Sequence, residues 1–97
     1  ALDASAAAYV GDGGLCASAQ ALGAWARRVL AARGGGWTRL AQSSRLADGS
    51  EVPYGLGVST RPFFGRAIRW HGGDVDGHSA HLAYLPDEDL TLVLLVN

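Results

Sequence analysis

The sequence predicts an α+β fold: one amphipathic helix near the N-terminus packs on an antiparallel β-sheet of about four strands in a meander. Three observations lead there. Apolar residues recur at helical spacing between positions 18 and 33, and the period then shortens into four short runs. Only turn-length segments separate those runs, and parallel neighbours would need far longer crossovers. A helix followed by such strands can cover one sheet face and bury a core. The chain has 97 residues, 48% hydrophobic and 18% charged, which is one domain at most.

Taken in order, residues 1–14 are small and end in Gly11-Asp12-Gly13-Gly14, a turn or loop. Ser18 is placed to cap a helix running to about Arg33. Leu22, Ala26, Val29 and Leu30 fall at i, i+4, i+7 and i+8 as one apolar stripe, with Trp25 beside it. Arg27, Arg28 and Arg33 occupy the later turns, where cations suit the helix dipole, and Gly34-Gly35-Gly36 stops the helix. Trp37 to Leu46 has weak helical spacing, enough for one or two turns. Asp48-Gly49-Ser50 is a turn signal. The strand runs are Tyr54–Thr60, Arg66–Gly72, His78–Leu85 and Leu90–Val96. Pro86-Asp87-Glu88-Asp89 makes a hairpin connection between the last two, with Pro placed for the turn and three charges to keep it wet.

Composition removes several function classes. A net charge of -1 gives no electrostatic footprint for nucleic acid or an anionic membrane. The longest apolar run, Leu92 to Val96, is far short of the roughly 20 residues a bilayer span needs. Cys16 is a single cysteine, so no intrachain disulfide can form, and its plainest reading is a small buried hydrophobe. The sequence contains no Met, and all eight basic residues are Arg. The expectation is a single partial domain, residues 1–97, belonging to a longer protein.

All three histidines lie in one polar cluster, His71-Gly72-Gly73-Asp74-Val75-Asp76-Gly77-His78-Ser79-Ala80-His81. Metal binding is one reading of His with Asp, but His71 ends one expected strand, while His78 and His81 have opposite parity on the next. At most two of the three could converge, so no metal and no cofactor is assigned, and half-exposed strand positions are the favoured reading. A Ser-His-Asp set drawn from Ser79, His71 or His78, and Asp74 or Asp76 has the residue types, yet only geometry identifies a triad, and no G-x-S-x-G elbow is present. The Gly-rich stretches at 11–14 and 34–36 lack the Lys of a phosphate loop and read as turns. One feature stands out. Gly72-Gly73 follows the bulky Ile68, Trp70 and His71 and leaves backbone without side-chain cover, as happens where a ligand approaches closely. The N–H groups that follow can donate to a bound carbonyl or oxyanion.

An ordered set of segments carries a resemblance. Gly13-Gly14-Leu15 precedes the helix with Trp25; then come Leu46-Ala47-Asp48-Gly49-Ser50 and Tyr54-Gly55-Leu56-Gly57-Val58. Trp70-His71-Gly72-Gly73, Gly77-His78-Ser79, Leu82-Ala83-Tyr84-Leu85-Pro86-Asp87 and Leu90-Thr91-Leu92-Val93 complete it. Together they resemble the C-terminal half of the serine β-lactamase-related hydrolases, which include class C β-lactamases, D-alanyl-D-alanine carboxypeptidases and esterases. The resemblance implies part of a β-lactamase/transpeptidase-like fold. In that family a K-T-G or H-x-G motif lies on a strand lining the active site, and His71-Gly72-Gly73 matches the H-x-G form.

The resemblance implies that His71 assists binding or proton traffic, that Gly72 and Gly73 let substrate lie along the strand, and that the Asp74 backbone N–H is one of two oxyanion donors. It implies a small-molecule or peptide acyl substrate for the parent protein, and relatives that are often exported. The S-x-x-K and Y-x-N motifs are absent: there is no Lys, and the one Asn is Asn97. Both normally lie upstream, so the fragment is expected to be inactive alone. Ala17 and Ala21 stand where Ser and Asp are often seen, which removes half a capping box. The rival expectation is a non-catalytic binding or structural homologue of the same fold.

Overall fold

A computed structural model describes residue 11 and residues 13–31 and 36–97. Helix α1 spans Ala19–Val29. Ser18 is extended, and its hydroxyl accepts from the Ala21 N–H at 3.2 Å, so the cap forms without the rest of a capping box. The helix is shorter than its apolar spacing suggests. Leu30 still donates to the Ala26 carbonyl at 2.7 Å, but its own carbonyl accepts from the Arg69 guanidinium, 39 residues on. A half-buried cation there satisfies a free helix-end carbonyl and complements the dipole, which helps the chain leave the helix at this point. Arg33 and the Gly34-Gly35 stop lie outside the described residues.

A 3-10 helix covers Gly36–Ala41, followed by a small hairpin of β1 (Ser44–Arg45) and β2 (Glu51–Val52). The expected turn sits at its tip. The Asp48 carboxylate accepts from both the N–H and the hydroxyl of Ser50, at 2.8 and 2.6 Å, and Gly49 takes φ +86°. Strands of two residues carry no readable period, which is why only the turn was legible.

The main sheet has order β3-β4-β5, all antiparallel: β3 Arg69–Val75, β4 His78–Leu85, β5 Leu90–Val96. The last two match the expected runs, and Pro86–Asp89 joins them as expected. The first two differ. Residues 54–60 are not a strand, because Gly55 donates to the Val58 carbonyl at 2.7 Å and Gly57 takes φ +83°, curling the segment into a tight loop. The next strand starts and ends three residues later than expected. Gly72-Gly73 looked like its end, but pairing with His81 and Ala80 carries the ladder through to an Asp76-Gly77 turn with Gly77 at φ +79°. His71 is thus the third of seven strand residues.

Register and the two-residue pleat fix the faces. Arg69, His71, Leu82, Tyr84, Thr91 and Val93 share one face, and α1 packs on β4 and β5. The buried core is Ala26, Val29, Leu30, Val58 and Tyr84, with Leu40, Ala41 and Leu82 against it. Trp25, beside the stripe, is half exposed. Trp70, Gly72, Asp74, Ser79, His81, Leu92 and Leu94 share the other face. Cys16 is exposed rather than buried, because the segment entering α1 packs on nothing described; Leu15 is equally bare. No helix among the described residues is long and apolar enough to cross a membrane.

Candidate active site on the outer edge of β3

Among the described residues no strand pairs with the edge of β3 away from β4, and residues 52–61 partly cover it. Ser59 and Trp70 exchange both backbone hydrogen bonds, at 2.8 and 3.0 Å. Between them the chain doubles back through Phe64 and Gly65, both at positive φ, as a two-residue hairpin of this kind requires. An Arg66–Glu88 ion pair ties that hairpin to the β4–β5 turn.

Trp70 therefore turns its N–H and C=O away from β4. Along a regular antiparallel strand this alternates, so Gly72 and Asp74 turn theirs to the same outer side, while His71 and Gly73 bond inward to β4. Ser59 covers Trp70. Beyond it the edge carries outward N–H groups at Gly72 and Asp74.

A cavity of about 490 Å³ opens where this edge meets the covering segment. Tyr54, Ser59, Arg61, Trp70, His71 and Gly72 line it, with Val52 and Pro53. That volume suits a small molecule or a short peptide group. His71 is exposed, with its ring 6.1 Å from that of Tyr54 in an edge arrangement at 60°. Two of the four expected site residues, His71 and Gly72, thus line the cavity; Gly73 and Asp74 continue along the same strand.

The glycines differ in what they face. A Cβ on Gly73 would meet nothing within 4 Å. One on Gly72 would lie 2.5 Å from the His81 ring, so this backbone is covered from within the chain, not left bare as the sequence suggested. The Asp74 carboxylate accepts from the Ser79 hydroxyl on the β4-facing side, leaving the backbone N–H as the group Asp74 presents at the edge.

The other clusters come apart. Ser79 and Asp74 meet, but register puts His71 and His78 on the opposite face, so the Ser-His-Asp set does not assemble. Among the described residues no three His, Cys, Asp or Glu side chains converge as metal ligands do. Sequence reading missed Tyr54, Arg61 and Trp70 as cavity walls. Tyr54 had a signal in its Tyr-Gly-Leu-Gly setting, whereas Arg61 depends on the Ser59–Trp70 pairing, which no local pattern shows.

Residues 1–97 match the beta-lactamase family. The chain belongs to the beta-lactamase family. The chain is 33% identical over 92 residues to a D-aminopeptidase of Gluconobacter oxydans and 32% identical over 92 residues to a D-aminopeptidase of Brucella anthropi. A D-aminopeptidase of Brucella ovis is 29% identical over the same length. Each match covers 92% of this chain and 18% of the relative, so the chain spans about a fifth of the length of these relatives. Membership in the beta-lactamase family, together with a helix on an antiparallel sheet, agrees with the α+β reading and makes this part of a serine hydrolase-type family.

Proposed function

We propose that this chain is the C-terminal part of a serine hydrolase that acts by acyl-enzyme transfer on an ester or amide: a β-lactam, a D-amino-acid peptide or a simple ester. Its role is to supply the His71-Gly72-Gly73 strand as one wall of the site and the Asp74 N–H as one of two oxyanion donors. The nucleophilic serine and its lysine partner come from another segment.

The observation that carries this reading is the free edge of β3, whose outward N–H groups continue past a cavity lined by His71. A fixed backbone donor aimed at developing negative charge needs no reorganisation during reaction, and one such donor lowers a barrier by roughly 2.7–4 kcal/mol. The exposure of His71 and its ring 6.1 Å from that of Tyr54 support a role in contacting substrate or passing a proton. Aromatic walls at Tyr54 and Trp70 give the acyl group apolar contact.

The test is hydrolysis of a chromogenic ester, a cephalosporin and a D-aminoacyl nitroanilide by the protein encoded by the complete reading frame, beside the 97-residue chain. The complete protein should turn over at least one of them, the chain alone none. His71→Ala should lower kcat/KM roughly a hundredfold, the scale of a lost acid–base group. A complete reading frame without S-x-x-K, or a complete protein inert toward all three, would move the function to binding. Enzymatic rates from the isolated chain would refute the division of labour.

A further inference from the structure

Gly72 and Asp74 are the two β3 residues past Trp70 that turn their backbone outward, and each is met from β4 by one polar side chain. In register, Gly72 stands opposite His81 and Asp74 opposite Ser79. These are the non-hydrogen-bonded pairs of the ladder, in which side chains come closest. The Ser79 hydroxyl donates to the Asp74 carboxylate. The His81 imidazole, itself solvent-exposed, lies so close to Gly72 that an added Cβ would be 2.5 Å from Nδ1, 2.7 Å from Cε1 and 3.5 Å from Cγ. Gly72 is half-buried although it has no side chain, and His81 is the side chain the added Cβ would strike.

We propose that His81 is a positioning residue: its ring is a plate against Gly72 that sets where the outer edge of β3 stands, and with it His71 and the Asp74 N–H. The inference rests on the proposed reading of that edge as the wall of a hydrolase site. It explains why the second motif position is glycine on grounds separate from substrate. A Cβ there would strike the His81 ring on the far side of the strand, not a ligand at the edge. The plate works by shape, so a flat ring without charge serves equally. Displacement of a catalytic edge by about 1 Å can lower a rate by about a hundredfold, which is the scale at stake.

The experiment is a suppression series in the protein of the complete reading frame. Gly72→Ala should lower kcat about a hundredfold, and His81→Ala about tenfold, with KM within about twofold for the latter. The double variant Gly72→Ala/His81→Ala should recover at least about tenfold over Gly72→Ala alone, because the space left by the ring takes the new methyl. His81→Phe should keep kcat within about threefold, since the plate remains. A double variant no better than Gly72→Ala would overturn the proposal, as would His81→Phe behaving like His81→Ala. Amide exchange across residues 69–75 reads the same question without turnover. Faster exchange in His81→Ala, restored in His81→Phe, supports the plate; unchanged exchange refutes it. An inert wild type with that exchange pattern would remove the hydrolase reading and leave the positioning intact.

Discussion

At Gly55 and Asp48, single residues decide local paths that composition does not show. A Cβ on Gly55 would lie 1.9 Å from the Leu40 carbonyl oxygen, so glycine is required by close backbone approach, and Leu56 then donates to that carbonyl at 3.0 Å. Asp48 acts through its charge. The Ser50 hydroxyl and then its N–H hold the carboxyl below its ordinary value of 3.8, the acceptor being favoured when ionised. A depressed folded-state pKa contributes stability that is present above the unfolded value and is lost as pH falls through the folded one. The thermal midpoint of the chain should therefore exceed that of Asp48→Ala at neutral pH. The gap should close as the pH drops below 3.8. A gap that widened in acid would contradict the assignment.

Elements were legible where period and turn chemistry agreed. Ser18, the apolar stripe, the Pro86–Asp89 connection and the last two strands could all be read because each rests on neighbours within a few residues. In that connection Asp89 takes φ +48° and accepts from the Tyr84 hydroxyl at 3.0 Å, which offsets the cost of a left-handed Asp. Gly23 is the weak point of α1. It faces β5, where an added Cβ would sit 3.7 Å from a Val93 methyl, an ordinary van der Waals contact. Gly23→Ala should raise stability by about 0.5–1 kcal/mol through helix propensity and reduced unfolded-state freedom, visible as a higher denaturant midpoint. A loss of stability would mean that the new methyl disturbs the packing of α1 on β5 despite that ordinary contact distance.

On the scale of the whole molecule, one sheet face carries α1, and among the described residues no helix packs on the other. Leu92 and Leu94 are 51% and 56% exposed, with Leu90 and Val96 beside them on the same face. Among the described residues, the outer edge of β5 also has no strand partner. A contiguous apolar patch with an open edge favours association in water. The 97-residue chain by itself should sediment as associated species at micromolar concentration, and Leu92→Lys with Leu94→Lys should shift it toward monomer. A monomeric unaltered chain with a cooperative melt would count against this.

By itself the sequence determined the fold class, the helix start, two strands, the Asp48–Ser50 and Pro86–Asp89 turns and the motif His71-Gly72-Gly73, since each follows from spacing, capping or residue type over a short stretch. Tertiary structure alone decided that β3 runs on through both motif glycines, that Ser59 closes over Trp70 to make the cavity with Tyr54 and Arg61, and that His81 stands on Gly72. The physical reason is common to all three. Each is a pairing across a turn, set by register and by which backbone groups remain unsatisfied, and such choices leave no periodic trace in the chain.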